Sequence, residues 1–281
     1  MVGGLARILL ALSLLVVSAG AAALWVGIPY LERRWTYRII PNDPGNPWKL
    51  PASAKTVSFQ AVDGVTLRGW YFAAVPPANG VTVLVLHGNH GVLPPYVPHV
   101  RFLQDRGFNV LLFNFRGFGL SDGRTESEST LTRDAEAALR YLTAERGVDP
   151  RSIAIVGVSL GAPVAATLAA RSPCRAVALI STVASARRHI SKGMPWVPEF
   201  VLDNLGSPFD AAGSVGRSRC PVAVVHGADD DIVQVDEALQ VYKAAHQPKR
   251  LIVVPTADHG LLDVGPDEYL PALASFILSA K

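Results

Sequence analysis

At 281 residues, 49% hydrophobic and 17% charged, the chain can bury one sizeable core and is excluded from the disordered class. A formal net charge of +3, with no Lys/Arg stripe interleaved with aromatic residues, gives nucleic-acid binding no support. The expected organisation is an N-terminal apolar segment over 1–34, a linker over 35–55 and one α/β domain over 56–281.

Between Arg7 and Glu32 lie 24 residues without a formal charge, roughly 36 Å of helix at 1.5 Å per residue and enough to span a bilayer. Trp25 and Tyr30 stand where an interfacial aromatic belt would, and Glu32, Arg33 and Arg34 stop the run. A single-pass membrane anchor is expected, ahead of a cleaved signal peptide for which the small residues Ser18 to Ala23 would supply the cleavage position. Arg7 against Arg33, Arg34 and Arg38 argues for a cytoplasmic domain, whereas the very short N-terminal tail argues for export, which is the side adopted. Pro41 to Pro47 reads as an extended linker.

Thr56 to Ala61 and Val65 to Phe72 flank Val62-Asp63-Gly64, a hairpin signal with Asp-Gly at the turn. Apolar runs follow at Val81 to Leu86, Val110 to Phe113, Ile153 to Val156, Val177 to Ile180, Val222 to Val225 and Leu251 to Val254. Segments of helical length separate them, notably Leu131 to Arg146, with Leu131, Ala135, Ala138, Leu139 and Leu142 on one face. Strands alternating with helices imply a mostly parallel sheet behind an antiparallel N-terminal hairpin. The stretch 182–218 differs in character: Met194 to Phe200 mixes bulky apolar residues with prolines, which suits a small cap over a pocket. Cys174 and Cys220 each precede an apolar run, so parallel neighbouring strands would put both thiols at one end of the sheet. Two buried free thiols are expected there, with a disulfide geometrically open in an oxidising compartment.

Gly157-Val158-Ser159-Leu160-Gly161 follows the apolar run from Ile153 and precedes an Ala-rich stretch. It reads as a G-x-S-x-G elbow, a tight strand-to-helix turn that exposes a serine. A serine alcohol needs a base to take its proton and an acid to orient that base, and both should follow it in the order acid, then histidine. His259 is the best base, because it lies on a loop after the run Leu251 to Val254, at the strand edge where parallel sheets gather ligands. His189 falls in the cap, and His246 sits in a polar segment where solvent exposure is the ordinary explanation. The acid comes from Asp229, Asp230 and Asp231, among which spacing alone does not choose. Donors for a tetrahedral oxyanion are expected from the backbone N–H groups of Asn89, in the turn His87-Gly88-Asn89-His90-Gly91, and of Leu160. His87 reads as a structural turn residue, and His90 as either that or a base.

Taken together, Asp63-Gly64, H-G-N-x-G at His87 to Gly91, R-G-x-G-x-S at Arg116 to Ser121, the elbow, H-G-x-x-D at His226 to Asp230 and a terminal His259 resemble the α/β-hydrolase superfamily over nearly all the chain from Thr56. The likeness is strongest to membrane-anchored hydrolases of the ABHD13/ABHD17 kind and to bacterial serine aminopeptidase-like relatives. It implies the α/β-hydrolase fold, with helices on both sheet faces and a small cap. It selects Asp230 as the acid beside Ser159 and His259, with no organic cofactor and no metal. The implied activity is cleavage of an ester, thioester or amide through an acyl-enzyme, on a small-molecule or lipid-like acyl substrate. An acyltransferase on the same residues, or a non-catalytic binding protein on the same fold, are the alternatives. The chain departs from the family's usual D-Y-R-G-Y-G at Asn114 to Gly119 and from its V-P at Val233-Gln234, and neither change touches Ser159, Asp230 or His259.

Overall fold

The computed structural model describes residues 13, 15, 18, 27, 30, 37, 49–89, 91 and 93–280. Strands β1 (Ala54–Gln60) and β2 (Thr66–Phe72) form the antiparallel hairpin, closed by Asp63 and by Gly64 at φ +79°. They join β3 (Thr82–Leu86), β4 (Asn109–Phe113), β5 (Ile153–Val158), β6 (Ala176–Ile180), β7 (Val222–Gly227) and β8 (Lys249–Val254) in an eight-stranded sheet of order β1-β2-β4-β3-β5-β6-β7-β8. From β4 to β8 every pairing is parallel.

The continuous apolar runs become strands buried on both faces. Along β3, Leu84 and Leu86 enter one core while Val83 and Val85 enter the other, as the two-residue period of a strand requires. Helices α1 (Val97–Gln104) and α8 (Leu270–Ser279) cover one face; α2 (Glu128–Arg140), α3 (Gly161–Arg171), α6 (Ala211–Arg217) and α7 (Val235–Ala244) cover the other. The short helices α4 (Ala186–Gly193) and α5 (Glu199–Leu202) lie between β6 and α6. Helix α2 begins three residues before the apolar period does, because the reciprocal Ser127 and Thr130 hydrogen bonds of a capping box set its start.

Arg116 explains the R-G-x-G-x-S segment. Its side chain is 6% exposed and binds Asp134, which is fully buried, through Nη2 (2.6 Å) and Nε (2.8 Å), while Nη1 reaches Asp63 of the hairpin turn at 2.7 Å. One guanidinium thus ties the β1–β2 turn to α2. Arg116→Met leaves the Asp134 carboxylate buried without its cation, and is expected to destabilise the fold by about 3–5 kcal/mol, read as a lower urea midpoint.

Two expectations are corrected. Among the described residues no helix is long and apolar enough to cross a membrane. The longest helical stretch among the described residues, α2 with its π-helical extension Tyr141–Glu145, carries Glu128, Arg133, Asp134, Glu136, Arg140 and Glu145, charges that a bilayer core rejects. The membrane anchor, and with it the membrane placement and its side, is therefore withdrawn. Of the uncharged run, only Ser13, Leu15, Ser18, Gly27 and Tyr30 are described; the rest, and most of the expected linker, lies outside the described residues. The cysteines are not free: Cys174 and Cys220 form a disulfide, their Cα atoms 5.8 Å apart at the start of the adjacent strands β6 and β7.

Candidate active site

Ser159 directly follows β5 and stands two residues before α3, with φ at +50°, in the left-handed region where non-glycine residues are strained by about 1–3 kcal/mol. Its N–H donates to the Ile180 carbonyl at 2.9 Å, which fixes the turn to β6. The flanking glycines are a packing requirement. A Cβ on Gly157 would come within 2.3 Å of the Gly161 carbonyl oxygen, and one on Gly161 within 2.2 Å of the Leu86 carbonyl oxygen.

His259 follows β8. Its own N–H is taken by Asp258 Oδ1 (2.6 Å), and the next N–H, that of Gly260, donates to Ser181 Oγ (3.0 Å). The loop lies against the end of β7 because Gly227 has no side chain; a Cβ there would meet the Ala257 carbonyl oxygen at 2.2 Å. This accounts for the glycine of H-G-x-x-D.

The structure separates the three aspartates. Asp229 and Asp231 are exposed, whereas the Asp230 side chain is fully buried. Asp230 Oδ1 accepts the N–H groups of Ile232 (3.0 Å) and Val233 (2.8 Å), and Oδ2 accepts His259 Nδ1–H at 2.8 Å. Burial opposes ionisation of this carboxyl, but the His259 and Val233 hydrogen bonds and the nearby His259 and His226 rings outweigh it and hold its pKa below the ordinary value. With Nδ1 committed as donor, His259 Nε2 keeps its lone pair toward Ser159 Oγ, 2.8 Å away.

Asn89 and Leu160 border the same cavity as Ser159 and His259. Leu160 is the residue before α3, so its N–H belongs to the positive end of that helix. Asn89 follows Gly88, whose N–H donates to the buried Tyr96 hydroxyl at 2.9 Å. His87 is fully buried; burial lowers its pKa to about 4, and the neutral ring accepts the Phe115 N–H (3.1 Å) while Nδ1–H donates to the Gly88 carbonyl (2.7 Å). It is a structural turn residue, as expected. His246 is exposed, also as expected, and His90 lies outside the described residues.

The cavity has a volume of about 630 Å³. Ile190, Met194, Trp196, Val197, Val201, Leu202, Leu205 and Phe209, all from the segment expected to form a cap, line much of it, together with His189. No carboxylate is among its lining residues. Asp230, Asp231 and Asp258 bring oxygens within 4.8 Å of one another, but Asp230 is already bonded to His259 and to two backbone N–H groups, and the other two are exposed.

Tyr96, Ser181 and His226 were not singled out by motif as supports of this site. His226 donates Nε2–H to the Val233 carbonyl (2.6 Å) and so closes the turn that carries Asp230. Its place as the histidine of H-G-x-x-D was the available signal. Tyr96, after Pro94-Pro95, carries none.

The alpha/beta hydrolase fold family matches residues 81–211. The uncharacterized protein YfhR of Escherichia coli O157:H7 is 34% identical over 238 residues, covering 82% of each chain. The alpha/beta hydrolase domain-containing protein 17C of Xenopus tropicalis is 28% identical over 210 residues, 74% of this chain and 65% of that one. Among solved structures, the Pyrococcus furiosus esterase Pf2001 aligns with a TM-score of 0.69 at 22% identity, over 86% of this chain and 98% of its own.

Proposed function

The chain belongs to the α/β-hydrolase family, and from that premise we propose that it is a serine hydrolase working through an acyl-enzyme. The observation that carries the reading is the unbroken hydrogen-bond relay from Ser159 Oγ through His259 to Asp230. In this reading Ser159 Oγ attacks the substrate carbonyl carbon as His259 Nε2 takes its proton. The tetrahedral oxyanion is received by the N–H groups of Asn89 and Leu160. His259 then returns the proton to the leaving group, and water repeats the sequence to release the acid. Asp230 holds the ring in the required tautomer and stabilises its cationic form.

The lining of the cavity supports an acyl ester over a peptide with a free amino terminus. An apolar wall of about 630 Å³ accommodates a hydrocarbon chain, while an α-ammonium would find no carboxylate in it.

A fluorophosphonate probe tests the reading. Covalent labelling of the native protein at Ser159, located by peptide mass spectrometry, is expected; no adduct, or one on another serine, overturns it. A second expectation concerns the oxyanion loop. Tyr96→Phe removes the acceptor of the Gly88 N–H, leaving a buried donor unpaired beside Asn89 at a cost of about 1–3 kcal/mol. Steady-state kinetics should show kcat falling about tenfold with KM little changed.

A further inference from the structure

The polar groups around the cavity are few, and most are already assigned. Ser159 and His259 are the reacting pair, Ser181 Oγ holds the Gly260 N–H, and Asn89 belongs to the oxyanion loop. His189 is different. It stands on α4, a helix capped by Ser185 Oγ accepting the Arg188 N–H (3.2 Å), and its own N–H donates to the Ser185 carbonyl (3.0 Å), so the ring is presented from an ordered turn. It is half-buried among apolar neighbours, and among the described residues its imidazole has no hydrogen-bond partner. Burial lowers its pKa against the pull of Glu237, which keeps the ring neutral near pH 7, with one N–H to give and one lone pair to offer.

His189 lines the same cavity as Ser159 and His259. The apolar wall suits the hydrocarbon of the acyl group, which leaves the imidazole as the polar partner for the group that departs with the proton of His259. We propose that His189 reads the leaving group, and that the substrate is an acyl ester of a polyhydroxy alcohol whose free hydroxyl hydrogen-bonds the imidazole. The inference rests on the serine-hydrolase reading above. A plain alkyl leaving group offers the ring no partner, and a site built to bond a hydroxyl disfavours the analogue that lacks it.

The test is the ratio of kcat/KM for 1-decanoylglycerol and for 6-O-decanoylglucose to that for propyl decanoate, measured with fluorophosphonate labelling of the same preparations. The native protein is expected to favour at least one hydroxylated ester about tenfold or more. His189→Phe, which keeps the ring volume and removes both nitrogens, is expected to bring that ratio close to one, and His189→Gln, which restores a donor and an acceptor, to recover most of it. The preferred ester tells a glycerol from a sugar. A native ratio near one, turnover of none of the three esters by labelled protein, or a ratio that survives in labelled H189F overturns the proposal. Should H189F fail to take the label, His189→Leu carries the same comparison. If the native protein itself does not label, the hydrolase reading fails, and the assignment of His189 falls with it.

Discussion

Replacing Ser159 by alanine is expected to lower kcat on an activated acyl ester by about 10⁶-fold, down to the residual rate that oxyanion donors and binding alone supply. The change deletes one oxygen whose hydrogen-bond partner is His259 Nε2, and it leaves the backbone turn and its bond to Ile180 in place. The thermal midpoint should therefore stay within a few degrees of that of the native protein, which separates lost chemistry from lost fold. Retention of more than about one part in a hundred of the native kcat would mean that another nucleophile acts.

Asp230→Asn is expected to cost about 10⁴-fold in kcat, through the tautomer of a ring it does not itself react with. An asparagine that keeps its N–H bonds from Ile232 and Val233 on its oxygen must turn its amide toward His259 Nδ1. Two donors then face each other. The ring relieves this by carrying its proton on Nε2, where it can no longer take one from Ser159. The same carboxylate contributes to stability. Its folded pKa lies below the ordinary value, so the contribution is fully present above the normal carboxylate range and is lost only as pH falls through the depressed value. An acid titration followed by circular dichroism should show the native protein and D230N differing in stability at neutral pH and converging at the acid end.

What could be read before the fold was known depended on the range of the interaction. Strands β3, β5 and β6 announce themselves because a strand buried on both faces needs an apolar run, and the elbow glycines because two backbones meet there. Asp230 did not, since Asp229 and Asp231 have the same chemistry and only burial against His259 distinguishes them. The family pattern supplied that choice. Tyr96 supports Gly88 across a turn without periodicity, and the capping box of α2 lies outside its hydrophobic stripe, so both depend on tertiary or terminal geometry. The apolar N-terminal run suggested a membrane helix by composition, yet no described helix has the length and apolarity to cross one.

The Cys174–Cys220 bond encloses every residue from Val183 to Phe209 that lines the cavity. The roof of the site is therefore a covalent ring clasped at the feet of β6 and β7. Ser159 lies on the N-terminal side of the clasp, Asp230 and His259 on the C-terminal side. Cutting the chain once within the roof would still leave Ser159 tethered to Asp230 and His259. The segment that lines the cavity can thus be severed without dividing the segments that carry Ser159, Asp230 and His259.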